Sequence, residues 1–308
     1  MIKLKKIFIT AVAVMISSQA IARDQIKIVG SSTVYPYTTV VAERFGKQGK
    51  FKTPVVESTG TGGGFKSFCG GVGVQHPDMT GASRGLTFAH SIKGQDANFT
   101  KAQLWKAIAH DVVVDGKLVK NPYKNWNEID KSLPAIKIEI LVAPPTSGTR
   151  DAWDDLIMSK GCDEAFKKLT DPKNCTKYRE DAAVIEAGEN DTLIVQKLGS
   201  SPNAFGYFGY SYLVANKDKI KAAKIDGIAP TIEGIQKYTY PVARPLFLYA
   251  KKAHASVIPG FKEFLTEYTG KTAVGSTGYL FKVGLVPNAK ETEDKVRDVA
   301  TKLVAMKN

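Results

Sequence analysis

The chain has 308 residues, of which 43% are hydrophobic and 24% are charged. This composition excludes a disordered chain and leaves enough length for two compact lobes. The formal net charge of +13 favours anionic partners, but the basic residues are spread along the chain without a Lys/Arg block, which argues against nucleic-acid binding.

The N-terminus has the pattern of an export signal. A basic start, "MIKLKK", precedes the apolar run "IFITAVAVMI", and "SSQAIA" ends in small residues. We expect cleavage after Ala22 and a product exported to the periplasm. The leader carries three lysines, so its removal lowers the formal charge from +13 by three, to +10. Its apolar run is shorter than the roughly twenty residues of a membrane-spanning helix.

Strand, polar turn and helix follow one another three times along the chain. The strands are predicted at 26–29, at "TPVVES" and at 136–143, and each precedes a segment with apolar residues at helical spacing. In the second unit, the glycine-rich "TGTGGG" is predicted as a loop and the helix as starting at about Phe65. The repeated order indicates an α/β protein with largely parallel sheets.

The rest of the chain adds further elements. Amphipathic helices are predicted over "FTKAQLWKAIAH", "PGFKEFLTEYTG" and "ETEDKVRDVATKLVAMK". The segment 238–250 is predicted as extended chain interrupted by Pro241 and Pro245.

The turns of the three units carry the same chemistry, which is Ser or Thr hydroxyls together with glycine. Their hydroxyl residues are Ser32, Thr33, Thr61, Ser147 and Thr149. Free backbone N–H groups and the positive end of the helix dipole converge where a strand ends and a helix begins, which suits an oxyanion. Simple N-capping is the alternative for any one of these hydroxyls.

Arginines accompany two of the hydroxyl sites. Arg150 lies in the first turn of a predicted helix, where a cation opposes the helix dipole, and this position suggests an oxyanion ligand. The alternative is a surface arginine paired with Asp154 at i+4. "GASR" offers Ser83 and Arg84 as a further candidate pair, after a strand predicted to end near Met79.

Several catalytic patterns are missing. The chain has no GxxxxGK[ST] nucleotide loop and no GxSxG nucleophile elbow. No cofactor is predicted, and no spaced set of His, Cys and carboxylates indicates a metal site. The histidines are predicted to lie at the surface; they are His76, His90, His110 and His254.

The chain has three cysteines. In an oxidising compartment, Cys162 and Cys175 are the natural disulfide pair, and their bond would contribute on the order of 3 kcal/mol. Cys69 is left over and is predicted to be a small buried apolar residue.

Six segments, taken in order, resemble the periplasmic phosphate-binding proteins of phosphate ABC transporters (PstS type), over nearly the whole chain after the leader. They are "GSSTVYPYT", "STGTGGGFKSFC", "DMTGASR", "PPTSGTRDAW", "AFGYFGYSYL" and "YPVARPLFLY". The resemblance implies a type II periplasmic binding protein with two α/β lobes, a hinge and a ligand cleft between the lobes. The first lobe would comprise residues 23–88 plus 244–308, and the second residues 89–243.

The resemblance also implies a set of phosphate ligands. The hydroxyl groups of Thr33 and Thr61 match positions that bind phosphate in the family, and further matches come from both lobes. These further matches are Ser32, the amide of Val34, Gly62, Ser83, Arg84, Ser147, Gly148, Thr149 and Arg150.

The chain departs from the family at two points. Some members have Asp where this chain has Arg84, and that Asp accepts the proton of hydrogen phosphate; Asp151 and Glu57 are candidates for the missing acceptor. Relatives also have a further helix and strand between "ASR" and "GLTFAHS", and that piece normally bears a cysteine that would explain the unpaired Cys69.

The resulting expectation is a non-enzymatic, monomeric protein that binds phosphate and delivers it to an inner-membrane ABC permease. Three alternatives stay open from the sequence. They are a binding protein for another tetrahedral oxyanion such as sulfate, an exported phosphatase with a Ser or Thr nucleophile, and a structural or adhesive protein.

Overall fold

The structure is a computed structural model that describes residues 23–83 and 86–306. The predicted leader with its cleavage after Ala22, the residue Arg84 and the side chain of Ser83 lie outside the described part. Within that part, no helix is both long and apolar enough to cross a membrane.

Short strands and helices alternate along the described chain. The strands are β1 (Lys27–Gly30), β2 (Val55–Ser58), β3 (Met79–Ser83), β4 (Leu86–Ser91), β5 (Asn98–Phe99), β6 (Asp111–Val114), β7 (Lys117–Lys120), β8 (Ile140–Val142), β9 (Val184–Glu186), β10 (Phe205–Gly209), β11 (Ile220–Ala222), β12 (Lys224–Ile225) and β13 (Leu246–Ala250). The α-helices are α1 (Tyr35–Lys47), α2 (Gly60–Phe68), α3 (Lys101–Ile108), α4 (Trp126–Ile129), α5 (Gly148–Trp153), α6 (Ser159–Gly161), α7 (Glu164–Leu169), α8 (Asp191–Ser200), α9 (Tyr210–Ala215), α10 (Ile232–Gln236), α11 (Phe261–Thr269), α12 (Lys271–Val274) and α13 (Lys290–Thr301).

The first sheet has the strand order β13-β3-β1-β2. Strand β1 runs parallel to both β2 and β3, whereas β13 returns antiparallel to β3. Helices α1 and α11 pack on this sheet through Val41, Phe45 and Phe264, which are fully or almost fully buried. The parallel part of the sheet is therefore built from the strands of the first two strand–turn–helix units together with β3.

The second sheet has the strand order β11-β4-β10-β8-β9. Strands β8, β9 and β10 are parallel, and β4 pairs antiparallel to β10. One core cluster gathers Trp105, Trp126 and Trp153, and another packs Ile194 and Leu198 of α8 against Phe208. The prediction of largely parallel sheets is therefore wrong where β4 pairs with β10 and β11 and where β13 pairs with β3, because these pairs are antiparallel.

The chain passes from the first sheet to the second between β3 and β4, and it returns before β13. All of β4 pairs with strands of the second sheet, so β3 and β4 belong to different sheets, and residues 88–89, where the lobe boundary was expected, lie within β4. On the return, Val242 belongs to a core cluster of the second sheet and Leu246 to the core of the first. Leu86 N donates to Val242 O at 3.0 Å, which joins the two crossing segments.

Three predicted elements differ from the observed ones. Helix α2 begins at Gly60, so most of the glycine-rich segment is helical rather than a loop. Strand β3 begins at Met79 and includes "GAS" instead of ending there. Strand β8 starts only at Ile140, because the residues before it lie along the segment 124–126 through the Lys137–Asn125 bridge.

The cysteines and histidines also test the sequence analysis. A disulfide joins Cys162 to Cys175, and Cys69 is exposed rather than buried. The surface prediction is wrong for His90 and His254, both of which are buried. Burial lowers the pKa of His90 to about 4.

Asp78 anchors the start of the described chain to the rest of the first sheet. Its fully buried carboxylate accepts hydrogen bonds from the backbone N–H of Lys27 at 2.6 Å and pairs with the guanidinium of Arg23 at 2.5 Å. The ring of His254 contacts it at 2.5 Å and also contacts Val72 O at 2.8 Å. The start of the described chain, at Arg23 and Lys27, and the segment of His254 thus meet on the buried carboxylate of Asp78.

We expect Asp78→Ala to lower the free energy of unfolding by about 3 kcal/mol, because it removes the counter-charge of Arg23 and the buried partner of the Lys27 N–H and of the His254 ring. Urea denaturation followed by circular dichroism measures this change. Asp24→Ala is the control, since it removes an exposed ion pair with Lys52 and should leave the unfolding midpoint nearly unchanged. Equal effects of the two substitutions would contradict the anchoring role of Asp78.

Candidate oxyanion-binding site

The first candidate loop joins β1 to α1. Its residues Ser31, Ser32, Thr33 and Val34 are all buried, and Gly30 precedes them with a φ of 127°, which favours glycine. The N–H of Val34 already donates to Ser31 O at 3.1 Å. The hydroxyl of Ser32 donates to Asp191 at 3.4 Å. Thr33 is therefore the residue of this loop whose hydroxyl has no protein partner.

The glycine-rich segment forms the first turns of α2. Thr59 precedes the helix without a side-chain capping bond, so the N–H groups of Gly60, Thr61 and Gly62 belong to a first turn that has no partner within the helix. The hydroxyl of Thr61 is buried and makes no hydrogen bond. Gly64 packs against Gly30, where a side chain would not fit, so the glycines bring α2 close to the end of β1.

The third loop leads from β8 into α5. Ser147 caps the helix, and its hydroxyl accepts the N–H of Thr149 at 3.2 Å. The hydroxyl of Thr149 is buried without a partner. Trp153 at the other end of α5 stacks on Tyr207 of β10, with ring centroids 4.2 Å apart. This packing holds the start of α5 at the edge of the second sheet.

Arg150 is buried and engaged with its own lobe. Its Nη1 donates to Ala143 O at 3.0 Å, and its guanidinium lies 3.2 Å from the ring centroid of Tyr178. Its Nε is 3.6 Å from Asp154, which is the i+4 pairing named above as the alternative, although the arginine is not at the surface. Burial raises the pKa of Asp154 to about 6, opposed by a hydrogen bond from Tyr178 and by Arg150. Arg150 therefore braces the loop that begins at Ala143.

The three loops meet. A side chain on Gly148 would overlap Thr61, and one on Gly209 would overlap Thr33. A Cβ on Gly62 would lie 3.0 Å from Thr146 O. These contacts join loops of the two sheets, with Thr61 against the loop of Ser147 and Thr149, and with Thr33 against the end of β10.

Two carboxyl groups that the sequence analysis did not select border this place. Asp191 is buried, accepts the N–H of Gly209 at 3.0 Å and contacts Ser32. Burial raises its pKa to about 7. Glu189 accepts a hydrogen bond from the hydroxyl of Thr146 at 3.3 Å, and its Oε2 is buried without a partner.

A sequence pattern could have pointed to Asp191 and Glu189. Strand β9, the turn that follows it and helix α8 form another strand–turn–helix unit, with Asn190 as a side-chain cap. Of the acceptors considered earlier, Glu57 is exposed and pairs with Lys27 at 3.1 Å, and Asp151 is exposed on α5. Ser83 ends β3, and Arg84 lies outside the described residues.

The donors at this place are neutral hydroxyl and amide groups, which suit an oxyanion rather than a cation. Among the described residues, no group of three or more His, Cys, Asp or Glu could hold a metal ion.

Comparison with known proteins assigns a family to this architecture. A sequence model of the PBP superfamily domain matches residues 17–272. The chain belongs to the PBP superfamily. The match spans well over half of the chain and includes all three hydroxyl loops.

Several named proteins are similar to this chain over most of its length. Protein SphX of Synechococcus elongatus is 27% identical, over 84% of this chain and 76% of its own. The phosphate-binding protein PstS of Staphylococcus saprophyticus is 28% identical, over 81% of this chain and 78% of its own. An ABC-type phosphate transport receptor from Vibrio cholerae has a similar fold, with a TM-score of 0.54 and 20% identity, over 81% of this chain and 95% of its own. The predicted two-lobed α/β fold is confirmed.

The buried carboxyl of Asp191 predicts a pH-dependent stability. Its pKa of about 7 in the folded protein exceeds the ordinary 3.8, so between these values the folded state holds a proton that the unfolded state has lost. The free energy of unfolding therefore falls as the pH rises from about 4 to about 7. We expect Asp191→Asn to remove this fall and to gain about 2 to 4 kcal/mol relative to the wild type between pH 4 and pH 8.

Urea denaturation at a series of pH values, without added phosphate, measures that difference. Glu57→Gln, which changes an exposed carboxylate, is the control and should track the wild-type protein. A difference between the wild type and Asp191→Asn that stays constant with pH would show that Asp191 does not titrate in this range.

Proposed function

We propose that the chain is an exported binding protein that takes inorganic phosphate between its two lobes and delivers it to an ABC permease in the inner membrane. The observation that carries this proposal is the meeting of Thr33, Thr61 and Thr149, whose buried hydroxyls have no protein partner. A buried hydroxyl without a hydrogen bond costs about 1 to 3 kcal/mol. Three of them at the contact of two lobes fit a polar ligand with several acceptor oxygens.

The relatives support phosphate as that ligand. PstS is named a phosphate-binding protein, and the similar structure from Vibrio cholerae is a phosphate transport receptor. Proteins with these names bind a ligand for transport, which favours binding over the phosphatase alternative. Closure of two lobes around the ligand is the hinge motion expected of this architecture.

The roles of the candidate residues follow from their contacts. The hydroxyls of Thr33, Thr61 and Thr149 donate to phosphate, and the N–H groups of Gly62 and Gly148 add donors from the first turns of α2 and α5. Ser147 shapes the start of α5, and Arg150 braces the same loop. Ser32 acts through Asp191, and the amide of Val34 holds the turn of its own loop.

The carboxyl groups favour phosphate over sulfate. Hydrogen phosphate carries a proton that a carboxylate can accept, whereas sulfate at neutral pH offers only acceptor oxygens. The unpartnered Oε2 of Glu189 is the acceptor we propose, in place of Glu57 or Asp151. A carboxylate at this position repels a fully ionised sulfate, because like charges at short range in a buried site are costly.

Isothermal titration calorimetry on the purified chain tests the proposal. We expect saturable heat with phosphate at a 1:1 ratio and much weaker heat with sulfate. No heat with phosphate on a folded sample would overturn the proposal, and preference for sulfate would favour a different oxyanion. Turnover of a chromogenic phosphate ester would instead indicate a phosphatase. Light scattering with and without phosphate tests the expected monomer.

Single hydroxyl deletions sharpen the test. We expect Thr61→Val and Thr149→Val each to weaken phosphate binding by about 10-fold to 100-fold, since a hydrogen bond to a charged group contributes about 1.5 to 3 kcal/mol. Calorimetry measures the change. Thr266→Val is the matched control, because its hydroxyl bonds only its own helix, at Lys262 O. Full retention of affinity by both site variants would exclude these hydroxyls as ligands.

A further inference from the structure

A cavity of about 730 Å³ adjoins the candidate site. Thr33 and Val34 of the site line it, together with Leu248 of β13, Leu265 of α11 and Val299 of α13. Its volume lies in the range of pockets that hold small organic ligands, about 300 to 1,000 Å³. Thr33 and Val34 therefore belong both to the candidate site and to the wall of a space much larger than a phosphate ion needs.

The walls of this cavity are largely apolar because strand β13 and helix α13 turn apolar side chains toward it. Helix α13 places Val296, Val299 and Ala300 at the i, i+3, i+4 spacing of a core-facing stripe, and Leu303 follows just after the helix ends at Thr301. None of the described residues of α13 is buried, however. Strand β13 ends the first sheet, and its Leu246 and Leu248 are only partly buried. An apolar ligand surface would complete the burial of both faces.

Charged residues also line the cavity. The cationic residues among the described lining residues are Arg244, Lys252 and Lys295, and the acidic one is Glu293. The balance is cationic, which suits a ligand that carries a negative charge.

We propose that the oxyanion site and this cavity together bind a phosphate monoester whose organic group is apolar. The ester binds as its monoanion, which keeps one P–OH proton for the carboxylate of Glu189. The phosphate group contacts the hydroxyls that bind inorganic phosphate, beginning with Thr33, and the organic group lies against β13, α11 and α13. The inference rests on the proposed function, and it extends the ligand class from inorganic phosphate to alkyl and aryl phosphates.

Calorimetry with a homologous series tests this proposal on the purified chain. The probes are inorganic phosphate, methyl phosphate, butyl phosphate and hexyl phosphate, at about pH 5, below the second phosphate pKa of about 6, where each ester is mainly a monoanion. We expect the association constant to rise by about fourfold for each buried methylene from methyl to hexyl phosphate. A flat series, with inorganic phosphate still bound, overturns this inference alone. Loss of binding to every probe, inorganic phosphate included, overturns the proposed function as well.

A cavity-filling variant gives an independent readout. Ala300→Phe places a ring in the cavity from α13, and we expect it to lower the affinity for hexyl phosphate at least tenfold while inorganic phosphate binds as before. Thr292→Phe is the control, because Thr292 is exposed on α13 and does not line the cavity. Thermal unfolding confirms that both variants fold. Equal hexyl phosphate affinity in the two variants contradicts the proposal.

Occupation of the cavity by a second copy of the chain would also overturn it. In that case light scattering would give a dimer for the wild type and a monomer for Ala300→Phe, and the alkyl series would be flat.

Discussion

The close approach of Gly148 to Thr61 holds the loops of the two lobes against each other. Any side chain at position 148 would overlap Thr61. Gly62 lies close to Thr146 in the same way, and Gly209 lies close to Thr33. Because glycine lets backbone and hydroxyl groups approach this closely, the three threonine hydroxyls are kept from water. Hydrogen bonds to an anion are stronger in such a place than at an open surface.

The two carboxyl groups give the site its electrostatic character. Asp191 is held at the base of the first loop by Ser32 and Gly209. Glu189 lies beside the start of α2, where a Cβ added to Gly60 would be 2.7 Å from its Oε1. In the proposed function, the carboxylate of Glu189 reduces the attraction of the site for a fully ionised ligand. It favours a ligand that brings its own proton, whereas burial raises the pKa of Asp191 to about 7.

The edge of the first sheet has a different character. Strand β13 and helix α13 present partly exposed apolar side chains to the cavity beside Thr33. This opening is the physical basis for a ligand larger than phosphate.

Much of the fold could be predicted from local sequence, because helical and strand periodicity, capping residues and turn hydroxyls are each encoded within a few neighbouring residues. The strand–turn–helix units, the hydroxyls of Thr33, Thr61 and Thr149, and the pair Cys162–Cys175 were visible in this way. The strand–turn–helix unit that carries Asp191 is also encoded locally, but the contact of Asp191 with Ser32 is not, because the two residues are 159 positions apart. The burial of His254 depends in the same way on Asp78, and Arg150 is committed to Tyr178 and Ala143 by packing that no local pattern records. The sequence by itself determined which residue types stand at the ends of the strands; the tertiary structure decided which of those ends meet and which charges are buried between them, because these follow from how the two sheets are connected and packed.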